Sequence, residues 1–301
     1  MSGMVSSAIT RNTASDSTVS DYISLTKPRV MTLVVFSGIA GMVMAPGPMH
    51  PLIAFVATLC IALASGGAAA INMWYDRDID TIMLRTQNRP IVKGKIAPEE
   101  ALAFGVILSF FAVMFMAVCV SYLASLLLLA SILFYVFIYT IWLKRSSVQN
   151  IVIGGAAGAF PPMIGWAAVT GNVTIESMIL FLLIFLWTPP HFWALALYKS
   201  DDYKKCNIPM MPIVKGDLYT KKQIILYSCL MVAISILPSA VGMTGVVYAC
   251  FAIMLGAWFL YDAVSLLSDQ TNRLAPRLFF FSIIYLFAIF GFMMIDHYIK
   301  F

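Results

Sequence analysis

Charge is what this sequence has least of. Asp, Glu, Lys and Arg make up 11% of its 301 residues, well under the share of roughly a quarter usual in soluble globular domains. Histidine occurs only three times. The five cysteines, Cys60, Cys119, Cys206, Cys229 and Cys250, form no CxxC pair and no cluster with histidine. That excludes a thiolate metal centre and a disulfide framework, leaving them as small apolar filler. The opening stretch MSGMVSSAITRNTASDSTVS has no apolar run of the kind a secretory signal needs. Its Ser/Thr-rich composition reads as a disordered cytoplasmic tail over residues 1–21. No internal repeat stands out.

Apolar residues are what the chain has instead: 61% of the sequence, with a mean hydropathy of +0.90. Uncharged stretches long enough to cross a bilayer as helices recur, which identifies an all-α polytopic membrane protein. Nine spans are predicted, at about 30–46, 52–74, 100–120, 122–142, 150–169, 177–197, 223–242, 245–265 and 277–296. With the N-terminus placed inside, eighteen of the 19 Lys and Arg residues fall on the inner side, and only Lys300 falls outside. So strong a bias obeys the positive-inside rule. It assigns the net charge of +5 to membrane topology, excluding a nucleic-acid partner. It also puts the C-terminus outside and every substantial polar loop in the cytoplasm. The spans themselves are almost free of ionisable groups, which argues against a transporter with charged sites at the bilayer midplane.

Residues 71–95, INMWYDRDIDTIMLRTQNRPIVKGK, break this pattern at the end of the second span. Asn72, Asp76 and Asp80 recur at four-residue intervals, and each such step turns an α-helix by only about 40°, so all three share a face. Two carboxylates and an amide offer hard oxygen ligands, the set Mg²⁺ takes when phosphate and water complete its shell. Asp78 falls on the opposite face. Arg85, Arg89, Lys93 and Lys95 follow at once, and acids beside cations are the composition of a diphosphate site. A second polar segment, WTPPHFWALALYKSDDYKKCNIPMMPIVKG over 187–216, follows the sixth span. If the helix continues past Pro190, His191, Tyr198 and Asp202 share a face within about 40°. His191 then lies inside the membrane, where an ionisable side chain needs a partner. Carbonyls freed by Pro189 and Pro190 are candidates to orient its imidazole. Gly154 and Gly158 form a GxxxG pair in the fifth span, suited to close helix packing or to a thin-walled face of a cavity.

At the two polar segments the sequence resembles the UbiA superfamily of intramembrane prenyltransferases. Its members carry an NxxxDxxxD motif after the second span and a DxxxD-type motif after the sixth. Asn72, Asp76 and Asp80 match the first motif. In the second, Tyr198 stands at the first acidic position and Asp202 at the last, with Asp201 adjacent. The segments LTKPRVMTLVV (25–35), NRPIVKGKI (88–96), YTIWLKRSSVQNIVIGGAAGAFPPMIGW (139–166) and WTPPHFWALALYKSDDYKKCNIPMMPIV (187–214) narrow the resemblance to the heme-modifying branch.

The resemblance implies one domain over residues 22–301: a nine-helix bundle in the inner membrane around a central cavity that opens to the cytoplasm. It implies transfer of a farnesyl group from farnesyl diphosphate to a vinyl group of heme b, with addition of water, giving heme O and diphosphate. Carried over by position, Mg²⁺ is expected on Asn72, Asp76, Asp80 and Asp202. Arg89, Lys144, Arg145, Lys93 and Arg85 are expected around the diphosphate, with Asp201 nearby. His191 is then the candidate for orienting heme, as iron ligand or hydrogen-bond partner, and Tyr198 lines the cavity. Heme A synthase or a terminal-oxidase assembly factor is the protein partner that pathway logic suggests. Two alternatives stand beside this reading: a sibling enzyme acting on a quinone precursor or a chlorin, and a transporter for a phosphorylated metabolite.

Overall fold

The computed structural model describes residues 17–299. Among them there are helices and connections only. In chain order the helices are α1 (Val19–Leu25), α2 (Pro28–Met44), α3 (Pro51–Tyr75), α4 (Arg77–Asp80), α5 (Pro98–Cys119) and α6 (Tyr122–Leu133). A π-helical segment, Phe134–Leu143, prolongs α6 and leads into the short α7 (Lys144–Ser146). Then come α8 (Asn150–Thr170), α9 (Ile175–Tyr198), α10 (Ser200–Lys205), α11 (Met211–Lys215), α12 (Asp217–Ala240), α13 (Val246–Ser268) and α14 (Ala275–Ile299).

Among the described residues, eight helices are long and apolar enough to cross a membrane, the run Tyr122–Ser146 counting as one. Taken together, α1 and α2, bent by 58° where they meet, pass the same test of length and composition and bring the number to nine. The bend sits at Lys27, whose backbone is left-handed (φ 50, ψ 61), a strained conformation for a residue with a side chain. The disordered tail expected over 1–21 lies mostly outside the described residues. Its last part is ordered: Asp21 in α1 is buried, accepts a hydrogen bond from the Thr18 hydroxyl at 2.7 Å, and pairs with Lys95 at 2.9 Å.

The centre of the bundle is formed by α8 and α9. In each, 61% of the most apolar stretch is buried, against 22–44% in the other spans of full length. On one side of α8, residues of α2, α3, α5 and α6 form an apolar core. On the other, α9, α12, α13 and α14 form a second. Large apolar side chains such as Phe110, Val118, Trp142 and Phe280 point outward, a surface suited to lipid rather than water.

Helices embedded in lipid associate through close packing of small residues, and α2 against α8 is the clearest case. A Cβ added at Gly41 would enter the Pro162 carbonyl, and one added at Gly165 would enter the Gly38 carbonyl. Both contacts are backbone against backbone, so neither can relax by rotating a side chain. Gly165→Val is therefore expected to lower the midpoint of thermal unfolding in detergent by several degrees, as overpacking costs about 1–3 kcal/mol. Gly158→Ala meets nothing within 4 Å and should leave the midpoint unchanged.

Candidate active site

The first acidic motif forms as its spacing requires. Asp76 N–H donates to the Asn72 carbonyl and Asp80 N–H to the Asp76 carbonyl, both at 2.9 Å. The helical turn thus carries on across the break between α3 and α4. Asn72, Asp76 and Asp80 are 3%, 0% and 2% exposed, whereas the Asp78 side chain is 60% exposed. Two carboxylates this close cannot stay buried without cations, and each has found one. Lys144 pairs with Asp76 and Arg89 with Asp80. Arg145 grips Asp78 through two bonds of 2.7 Å, donates to the Tyr75 carbonyl at 3.2 Å, and reaches the second Asp76 oxygen at 3.5 Å. Asp78 therefore does not sit free in solvent. The Arg145 guanidinium holds its carboxyl below the usual range. The depressed value means that this latch persists at neutral pH and opens only as pH falls through it.

The elements that deliver these cations follow from the sequence. The π-helical segment runs beside the end of α3 and makes two rungs with it. Asn72 donates to the Thr140 hydroxyl at 3.1 Å, and one turn further Lys144 meets Asp76. Deeper on that segment, Tyr135 and Tyr139 stack at 5.5 Å. Gly154 of α8 gives the Tyr139 ring its place, since an added Cβ would collide with it. Gly158 on the same face meets open space, so the two glycines of the GxxxG pair have different uses. Arg89 is returned to Asp80 by the loop before α5. The Thr86 hydroxyl contacts the Asp80 and Met83 carbonyls, and Ile91 and Ile96 pack with Leu25, Ala70 and Met73.

Lys27 completes the cluster from the bend between α1 and α2, its ammonium 2.6 Å from the Asn72 amide oxygen. Sequence reading passed over it as one more inner-side cation. Its signal was slight: a lysine directly before the proline that opens a span.

The second segment is arranged differently from expectation. α9 does run straight through Pro189 and Pro190 to Tyr198, but it stops there. Lys199 leaves the helical conformation (φ −114, ψ 28) and α10 starts afresh. The break takes Asp202 out of the helix that carries His191 and Tyr198, and so off the face expected for all three. His191 and Asp202 are buried at 7% and 8% exposure, while Tyr198 is 48% exposed under the Lys199 ammonium. Asp201 is exposed. The segment docks on the first motif through the Cys206 thiol, 3.7 Å from the Ile79 carbonyl, and through Tyr203, whose hydroxyl lies 3.4 Å from Arg85. Lys93 is exposed and has no ion-pair partner among the described residues.

The partner of His191 is not a carbonyl freed by the prolines but Ser282 of α14, with Nδ1 and Oγ 2.5 Å apart. The ring lies between Trp187 (4.3 Å) and Phe279 (4.6 Å), nearly parallel to both.

Among the described residues no three His, Cys, Asp or Glu side chains close into a metal cage. Two features nonetheless fit a hard cation sharing its shell with phosphate. Asp76 Oδ1 is buried without a hydrogen bond, and the buried Asp202 carries no cation. Both are oxygen donors, as Mg²⁺ requires.

Several comparisons bear on the family and the fold. The model of the UbiA prenyltransferase family matches residues 34–284. The protoheme IX farnesyltransferase of Rickettsia bellii is 60% identical over 275 residues, 91% of this chain and 92% of that protein. Its counterpart in Rickettsia prowazekii is 60% identical over 277 residues, 92% and 89% of the two chains. In fold, the chain superposes on a digeranylgeranylglyceryl phosphate synthase with TM-score 0.78 at 19% identity, covering 92% of this chain and 98% of the other. It also superposes on a UbiA homolog from Archaeoglobus fulgidus, solved with GPP and Mg²⁺, with TM-score 0.67 at 17% identity, covering 91% and 99%. With an asparagine and two aspartates on one buried helical face, and a family model that spans most of the chain, this multi-pass membrane protein belongs to the UbiA prenyltransferase family.

Proposed function

We propose that this chain transfers the farnesyl group of farnesyl diphosphate to a vinyl group of heme b, with water added, giving heme O and diphosphate. The observation that carries the chemistry is the buried Asn72–Asp76–Asp80 face ringed by Lys27, Arg89, Lys144 and Arg145. The 60% identity to protoheme IX farnesyltransferases over nine-tenths of the chain supports the choice of acceptor. The N-terminus is cytoplasmic, the C-terminus outside, and the charged mouth of the bundle faces the cytoplasm of a cell whose inner membrane holds the protein.

Asn72, Asp76, Asp80 and Asp202 are the oxygen donors that would hold Mg²⁺. When bound, the ion offsets the charge of the departing diphosphate. Of the four donors, Asp202 carries no cation, and Asp76 Oδ1 accepts no hydrogen bond, with Arg145 3.5 Å away. Asn72 and Asp80 are each held by a cation for which phosphate oxygens compete. Lys27, Arg89 and Lys144 thus have two roles: they keep the acids compatible with burial, and they turn to the diphosphate when it arrives. Asp78 positions Arg145 and stays out of the exchange. Loss of diphosphate leaves an allylic cation at the farnesyl C1, which aromatic faces stabilise. Tyr135 and Tyr139, one to two turns deeper than Lys144, are the faces assigned to it. The surrounding apolar helices exclude bulk water. C1 then bonds to the terminal vinyl carbon, water supplies the hydroxyl on the neighbouring carbon, and a proton is released. His191 contacts the heme that presents the vinyl group.

Purified protein given farnesyl diphosphate, Mg²⁺ and heme b should yield farnesylated heme and diphosphate, and EDTA should abolish both. Diphosphate release without farnesylated heme would instead assign a sibling acceptor, and no release would favour transport. Cells carrying Asp76→Ala are expected to accumulate heme b and lose heme O and heme A on extraction. Lys27→Met should raise the KM for farnesyl diphosphate roughly 10–100-fold, the weight of one charge-assisted hydrogen bond. Asp78→Asn, which only loosens Arg145, should change it by less than about fivefold.

A further inference from the structure

His191 has two ring nitrogens, and burial in an apolar bundle makes it matter which one carries the proton. Its flat faces are closed by Trp187 and Phe279, and Nδ1 is closed by Ser282. Phe192 also packs nearly perpendicular to the ring at 5.0 Å, and Nε2 is the ring nitrogen without a hydrogen-bond partner among the described residues, the one left for a ligand. The proton follows from the partners of Ser282. A hydroxyl has a single hydrogen to give, and the Ser282 Oγ lies 2.6 Å from the Phe279 carbonyl, which can only accept. The hydroxyl hydrogen therefore goes to Phe279, and the 2.5 Å contact with Nδ1 must be donated by the ring. That leaves Nε2 unprotonated, with its lone pair in the plane of the imidazole.

Ser282 is itself held in place from the other side. The Trp187 indole, besides covering the His191 ring, donates from Nε1 to the Ser282 carbonyl at 2.8 Å. His191 and Ser282 each lie seven residues from the charged end of their helices, α9 and α14. At 1.5 Å per residue this is roughly 10 Å below the mouth.

We infer that Ser282 is a positioning residue that fixes His191 as the Nδ1–H tautomer and so aims the Nε2 lone pair at the iron of heme b. This rests on the reading of heme as acceptor substrate given above. A histidine that ligates a metal through one nitrogen generally donates from the other to an oxygen, which orients the ring and raises its basicity. Here that oxygen is a hydroxyl that has already spent its hydrogen on its own helix.

The test uses full-length protein in nanodiscs with ferrous heme b, in the wild type and in Ser282→Ala, Ser282→Thr and His191→Ala. Wild type should show an iron–histidine stretching band by resonance Raman. Ser282→Ala should move that band to lower frequency and weaken heme affinity about tenfold, while the KM for farnesyl diphosphate, measured at saturating heme, stays within twofold. Ser282→Thr should restore band and affinity, which a purely structural role for the serine would not require. An unchanged band and affinity in Ser282→Ala, with both altered in His191→Ala, overturns the tautomer assignment alone. If His191→Ala also keeps the wild-type band and affinity, His191 is not the iron ligand, and the inference falls whatever the fate of the prenyl transfer.

Discussion

A carboxylate buried at the end of a membrane-spanning helix must be matched by a cation, and the charged mouth of this bundle is organised around that requirement. Asp76 is fully buried, so Lys144 must reach it, and that contact aligns the π-helical segment with the end of α3. Asp80 draws back Arg89 and with it the loop that precedes α5. The same loop carries Lys95, which fastens α1 through Asp21. One set of charge pairings therefore sets the positions of four separate pieces of chain. Because breaking such a pair costs more than forming it gains, the cations leave their acids only for something at least as anionic.

The two central helices show how the bilayer changes the rules of packing. In water, prolines in the middle of a helix would be a defect. Here α8 carries Pro161 and Pro162, and α9 carries Pro189 and Pro190, where neighbouring helices close around them. The Pro162 carbonyl is the surface on which Gly41 of α2 rests. The pair in α9 lies directly before the one histidine buried at mid-bundle. All four prolines are buried within the protein, away from lipid, where a membrane tolerates helix-breaking residues.

Much of this was legible in the residues. Apolar length and the one-sided placement of Lys and Arg foretold the spans, and the four-residue spacing placed Asn72, Asp76 and Asp80 on one buried face. That much depends on helical geometry and on solvent, which act locally. What was hidden depends on neighbours distant in sequence. Lys27 meets Asn72 across 45 residues through a backbone conformation that no propensity favours. Ser282 meets His191 across 91 residues, and nothing in a stretch of phenylalanines marks that serine. The stop of α9 at Tyr198 was also missed, because Tyr-Lys-Ser carries no breaker. The shared face drawn through that point assumed a helix that the chain does not continue.

The span from Lys27 to Asp202 has a consequence for how the molecule comes into being. A membrane protein is inserted from its N-terminus onward, so Lys27 and the Asn72 amide can meet as soon as two spans are in place. Asp76 then waits for Lys144, a further 68 residues on, before its charge is matched. Asp202 arrives only after the sixth span. The nascent chain thus passes through a stage in which an acid sits at the mouth of an unfinished bundle without its partner. Such a charge favours the water interface over lipid, which anchors the end of α3 at the membrane surface until the later helices close around it.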